Sequence, residues 1–426
     1  MISSSILPRF EHFMLPGNVR LGIHPTRKLK TILVKVYLAA DLDDTATSRA
    51  LLPMVLRRGT SRLRDMQAIN RYLESLYGAG IWSSVAKIGE WHVTRFRLEV
   101  VNDLFLRERE DLFRRGIEFL REILLDPLVV DEGFHPDYVA REKETLRVNI
   151  ESLLDDKGAY AAFRCAEEMC REEAYRLNEQ GRVDQLDAIE ARRIYGSYRD
   201  WMDACPLAVY VAGDVDIDVA REMVANVFRS QRSGSGSLRP APPPVPVRGV
   251  KVVKERLEVN QGKLVLGFRH GITHADELYE ALLVMNGVLG GFSHSKLFQN
   301  VREKASLAYS ASSWLERTKG LLFIACGIAV EKYDRALAIS LEQVEAMRRG
   351  EISEEEIDST VKTILNQNLM LEDNFSALAD VDYSWGLHGR DLDLAGFRER
   401  LQNVSRERIV EAARKLEHDT TYFLHN

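Results

Sequence analysis

Apolar and polar positions alternate with period two along residues 31–39 (TILVKVYLA) and again along residues 263–269 (KLVLGFR). Each run predicts a strand, and each opens a similar succession of elements. A predicted helix follows in both, at residues 46–56 and 276–288. A strand pair comes next, at 82–88 with 92–100 and at 308–315 with 320–329. Several helices continue each stretch: 111–125, 137–154, 159–171 and 185–201 in the first, and 331–349, 353–371, 375–385 and 406–416 in the second. Each stretch closes on a short apolar strand, at 208–212 and 421–424. Strands grouped beside runs of helices predict an α+β fold, a sheet with helices packed on one face. The repeated order of elements predicts that this fold occurs twice.

One segment fits no packed element. Residues 230–248 (SQRSGSGSLRPAPPPVPVR) are rich first in Ser and Gly and then in Pro. A Gly/Ser run is flexible and a Pro run is stiff and extended, so this is read as a linker. It divides the 426 residues into an N-terminal domain, 1–229, and a C-terminal domain, 249–426.

Composition narrows the class without naming it. Hydrophobic residues make up 45% and charged residues 29%, as in an ordinary globular protein. The net charge of −6 is spread along the chain, and no Lys/Arg run asks for nucleic acid. No stretch approaches the ~18 consecutive apolar residues of a membrane span. The N-terminal MISSSILPRFEHFMLPGN lacks the charged and then apolar pattern of a signal peptide, so none is expected. Four cysteines, Cys165, Cys170, Cys205 and Cys326, lie in predicted helices and strands without the C-x2-C spacing of a zinc ribbon. Buried free thiols in a reducing, cytoplasmic setting are the expectation.

The chemistry concentrates in GGFSHSKLFQNVREKASLAY, from Gly290 to Tyr309. It reads as a Gly-Gly turn, a short amphipathic helix ending near Lys304, and a strand from Leu307 onward. Arg302 and Tyr309 could meet in one cleft if the chain turns back between them. Taken as bare residues, an Arg beside Glu303 and a Tyr on a sheet are ordinary structural positions. The surrounding GG, S-x-L-F, REK and LAY give them more weight, because the segment resembles the C-terminal-domain signature of the pitrilysin/insulysin/mitochondrial-processing-peptidase family of zinc metallopeptidases. The resemblance implies two homologous α+β domains forming half of a clamshell. It also implies that Arg302 and Tyr309 bind the substrate backbone. VYVAGDVD, from Val209 to Asp216, is similar to the strand and turn that close the family's first domain.

The same resemblance implies a zinc site in the first domain: H-x-x-E-H on a helix, two histidines on one face with a glutamate base between them, shortly followed by Gly-Thr. Gly59-Thr60 is present, and counting back puts Ala50, Pro53 and Met54 on the three motif positions. The third ligand should end an E-x6-E pair. Glu142 fits the first member, but Asn149 stands at the ligand position. None of these side chains is a family zinc ligand or a base, and no His lies between His24 and His92 to rescue a shifted register. His270 and His274 are four apart, but Gly271 and a strand-to-helix transition argue against a ligand pair. Phosphate-loop and nucleophile-elbow patterns are missing as well.

A chain with the grip but not the metal implies divided labour. The expectation is a non-catalytic, substrate-binding subunit that needs no cofactor of its own. It would pair with an H-x-x-E-H-bearing homologue that holds the zinc, and the substrate would be a peptide or small unfolded protein. The alternatives are a proteolytically silent scaffold of the same fold, and an enzyme whose metal site has moved.

Overall fold

Along Thr31–Asp41 the side chains of Ile32, Val34, Val36 and Leu38 enter one apolar core, while Lys35 and Tyr37 fall on the opposite face. That alternation builds the first of two sheets in the computed structural model, which describes residues 8–228, 232–305 and 307–426. The first sheet contains β1 (Glu11–Leu15), β2 (Val19–Pro25), β3 (Thr31–Asp41), β4 (Gly80–Ile88), β5 (Trp91–Val101) and β8 (Leu207–Gly213). The two-residue strands β6 (Val129–Val130) and β7 (Gly133–Phe134) pair with each other beside it. The second sheet contains β9 (Lys251–Arg256), β10 (Gly262–Arg269), β11 (Ala308–Glu316), β12 (Leu321–Ile328) and β13 (Glu417–His425).

The two sheets follow one plan. The first runs β1-β2-β8-β3-β5-β4 and the second β11-β12-β10-β13-β9. Each has a single parallel pair, β2 with β8 and β9 with β13, and is otherwise antiparallel. In both, the last strand inserts between the first and second strands of the repeat. The repeat expected from element order is therefore present in the strand pairing, with β1 as an addition to the first copy.

The compact units do not coincide with the two halves of the chain. One comprises residues 1–151, 177–240 and 371–387; the other comprises 152–176, 241–370 and 388–426. These units cross the limits expected at 229 and 249. The helix Lys157–Met169 comes from the first half but packs in the second unit, where Cys165 and Met169 share a core with Val265, Phe323, Tyr422 and Leu424. The helix Phe375–Leu387 comes from the second half and packs in the first unit, on the Lys35 and Tyr37 face of β3. Each sheet thus has a helix on the face that the one-sided expectation left open.

Polar pairs accompany the packing of both exchanged segments. Lys35 Nζ lies 2.7 Å from Asp380, and the Tyr37 hydroxyl donates to the same carboxylate at 2.9 Å. The Tyr210 hydroxyl donates to Asp382 at 2.7 Å, and His12 Nε2 is 3.1 Å from it. In the second unit Arg269 joins Glu173 at 2.6 Å and Asp419 at 2.7 Å, and Lys319 joins Glu173 at 2.7 Å. A Cβ on Gly267 would stand 2.7 Å from Met169 Sδ, so a side chain here would have to displace that flexible thioether.

The predicted linker begins at 230–231, outside the described residues. From 232 onward it has no helix or strand, as expected, but its Gly/Ser portion is held in place. The Gly234 and Gly236 amides donate to the Asp203 and Ala204 carbonyls, and Arg239 binds Asp41 at 2.7 Å. Backbone groups without a side chain in the way satisfy themselves on the neighbouring helix end. All four cysteines are buried, and none is in a disulfide.

Candidate functional site

The segment that carries Arg302 and Tyr309 is wound more widely than an α-helix. After the helix Tyr279–Asn286 the chain makes a π-helical turn over Gly287–Gly291, and Phe298–Lys304 is π-helical too. Such i→i+5 turns are rare and recur at functional sites. Gly290 fixes the first turn against β11. A Cβ there would lie 2.6 Å from Ser313 Oγ and 2.7 Å from Ser313 N. Ser313 also donates to the Asn286 side chain at 2.7 Å. Leu297 and Val301 are fully buried and anchor the second turn, and the Leu307 amide closes onto the Val301 carbonyl at 3.1 Å. Ser306 lies outside the described residues.

This anchoring brings Arg302 and Tyr309 to one open cavity of about 380 Å³, which Glu303, Leu307, Ala308, Ala329 and Lys332 also line. Tyr309 is 69% exposed. Arg302 lies 4.5 Å above the Phe298 ring, with Nε 3.6 Å from Glu303. The two side chains share a cavity without a hydrogen bond to each other among the described contacts. Lys332, which the sequence did not single out, adds a second cation to the same wall.

The positions that the family resemblance assigns to the zinc site hold side chains outside the usual zinc donors. Ala50 and Pro53 are buried in the helix Ala46–Leu56, and Met54 packs against the first unit's core. Asn149 is exposed on the helix Pro136–Glu151, which packs against the first. A methyl, a pyrrolidine, a thioether and a neutral amide do not make a zinc donor set. Pro53 sits inside its helix and can give no amide hydrogen to the preceding turn. Glu142, buried, forms an ion pair with Arg58. Among the described residues, no three His, Cys, Asp or Glu side chains are grouped as a metal site.

The histidines have structural roles. His270 Nδ1 accepts from the Ile272 amide at 3.0 Å, and burial lowers its pKa to about 4. His274 lies 4.9 Å from the Tyr279 ring and 5.3 Å from His388, with its pKa lowered to about 3, chiefly by burial. His92 Nε2 meets the Glu179 carbonyl at 2.8 Å, and His135 stacks on Tyr138. The sequence also gave no notice of Arg57, half-buried at the end of the first helix. Its only available signal was its place in the Arg57-Arg58-Gly59-Thr60 run.

Comparison with known proteins decides the family. The chain is 38% identical over 409 residues to the Bacillus subtilis "Probable inactive metalloprotease YmfF", with 96% of each chain covered. The chain belongs to the peptidase M16 family. The family description "Peptidase M16 inactive domain" matches residues 188–364. A conserved protein from Enterococcus faecalis V583 has the same fold over 98% of the M16 chain and 99% of its own, with a TM-score of 0.91 at 29% identity. A peptidase M16 inactive domain from Pseudomonas fluorescens covers 98% of both chains with a TM-score of 0.81 at 16% identity, a likeness of fold alone. This M16 homologue carries Ala50, Pro53, Met54 and Asn149 at the positions discussed above. No helix among its described residues is long and apolar enough to cross a membrane.

Proposed function

We propose that this chain is a non-catalytic, peptide-binding M16 subunit that works with a second, H-x-x-E-H-bearing subunit. The observation that carries this reading is the shared cavity of Arg302 and Tyr309 beside an accessible surface, in a chain whose own metal positions are Ala50, Pro53, Met54 and Asn149. Arg302 offers a planar fork of donors and Tyr309 a hydroxyl, both suited to peptide carbonyls and to an oxyanion that develops on one. The partner would supply the zinc and the base. This chain would bind and orient the peptide and would cleave nothing alone. A cytoplasmic location accords with four cysteines that form no disulfide.

The test is reconstitution. The chain is expressed alone and with an H-x-x-E-H-bearing homologue from the same genome, and peptide cleavage is followed. Activity is expected only in the mixture. Removing one oxyanion donor typically costs ~10²–10³ in rate, so Arg302→Ala and Tyr309→Phe should each lower kcat/KM by about that factor. A mixture that cleaves equally well with both substitutions favours the scaffold reading. Stoichiometric zinc on the isolated chain would favour a relocated metal site.

A further inference from the structure

Among the described residues, the most deeply buried cations have carboxylates within ion-pair distance, and the half-buried Arg57 has none there. Lys35 has Asp380 at 2.7 Å, Arg269 has Glu173 at 2.6 Å and Asp419 at 2.7 Å, and Lys319 has Glu173 at 2.7 Å. Arg57 is half-buried where the first helix meets β4. Its Nη1 donates to the Ser83 hydroxyl at 3.3 Å, and its Nε–H is buried without an acceptor. Glu142, the acid whose field reaches it, is already engaged by Arg58. Burial lowers the Arg57 pKa from its usual value, the expected response of a desolvated cation lacking a counter-charge. Such a placement costs stability unless an anion completes it. β4 is the outermost strand of its sheet, so no further strand of that sheet covers this side.

We propose that Arg57, with Ser83 beside it, is a receptor for the carboxylate of a bound peptide. The inference rests on the peptide-binding reading above and adds to it a second recognition point, on the first unit, and a preference for anionic ligands. A guanidinium matches a carboxylate in a two-pronged pair that a lysine ammonium does not reproduce, which makes the Arg-to-Lys exchange informative. The carboxylate can come from a peptide C-terminus or from an acidic side chain.

The experiment uses the full chain and a fluorescein-labelled apolar decapeptide in three versions: free C-terminal carboxylate, C-terminal amide, and amide with one internal glutamate. Affinity is read by anisotropy. At least one carboxylate-bearing version should bind about tenfold more tightly than the plain amide, and whichever version does so identifies the source of the carboxylate. Arg57→Gln should abolish that preference, Arg57→Lys should retain part of it, and Ser83→Ala should reduce it. Arg302→Ala should weaken all three versions alike. Equal affinity for the three peptides, or a preference that survives in a folded Arg57→Gln protein, overturns the receptor while leaving peptide binding intact. If no version binds, both readings fall. Should Arg57→Gln not fold, the comparison of the three peptides on the unmodified chain and on Ser83→Ala decides the matter.

Discussion

His92 and His270 are held as neutral imidazoles inside the protein. Burial lowers both pKa values to about 4, outweighing the Glu179 carbonyl that favours the charged form of His92. In the unfolded chain the same rings take up protons near pH 6.5. Between these values the unfolded state binds more protons than the folded one, so acid favours unfolding. The stability these residues contribute is therefore complete above about pH 6.5 and declines towards pH 4, by up to ~1.4 kcal/mol per pH unit for each ring. Denaturant titrations at half-unit steps should show that decline. His92→Gln, which can keep a donor for the Glu179 carbonyl, should flatten it by about one proton; an unchanged slope would mean that His92 titrates normally in the fold. At this scale the identities of Ala50, Pro53, Met54 and Asn149 could be read directly, because side-chain chemistry belongs to each residue by itself. The use of Glu142 by Arg58, and the lack of a carboxylate in ion-pair distance of Arg57, depended on which side chains the fold brings together.

The helix Phe375–Leu387 shows what is legible at the level of elements. Its existence follows from its apolar content, and its limits are close to those predicted at 375–385. Its destination does not follow, because Asp380 and Asp382 look like solvent-facing acids until Lys35, Tyr37 and Tyr210 are placed opposite them. Asp382 is buried and accepts from Tyr210 at 2.7 Å, with His12 Nε2 at 3.1 Å and Arg20 Nη2 at 3.8 Å. Asp382→Ala leaves the Tyr210 phenol without its acceptor, Arg20 without its anion and the His12 ring without its carboxylate neighbour. The expected loss is about 3 kcal/mol by chemical denaturation, with the first unit affected more than the second. A loss below about 0.5 kcal/mol would show that these groups are re-solvated at little cost, and that the helix is held by Phe375, Leu378 and Tyr383 alone. The π-helical winding of Phe298–Lys304 was likewise hidden. An amphipathic helix was predicted there, but the wide turn is imposed by Leu297, Val301 and the Gly290 contact on β11.

At the scale of the whole chain, each unit is built from both halves. A fragment of residues 1–240 would lack the helix that covers Lys35 and Tyr37, and a fragment of residues 241–426 would lack the helix that covers Val265 and Tyr422. Each fragment alone is expected to expose a half-covered sheet and to aggregate, whereas the two co-expressed should yield a soluble complex. Size-exclusion chromatography with far-UV circular dichroism distinguishes these outcomes. Two fragments that are each monomeric and cooperatively folded would show that the exchanged helices are dispensable.

The sequence by itself determined most of the elements, their twofold repetition, the α+β class, the family likeness at Gly290–Tyr309, and the side-chain identities of Ala50, Pro53, Met54 and Asn149, whereas β1, β2, β9 and the helices Met66–Ser75, Ile217–Phe228 and Leu394–Gln402 were not read from it. The features it determined depend on hydrophobic period, turn chemistry and residue identity, all of which act locally. The tertiary structure alone decided the exchange of helices between units, the gathering of Arg302, Tyr309 and Lys332 on one cavity, and the placement of Arg57 with no carboxylate in ion-pair distance. Those facts depend on contacts between residues tens to hundreds of positions apart, whose partners local patterning does not specify.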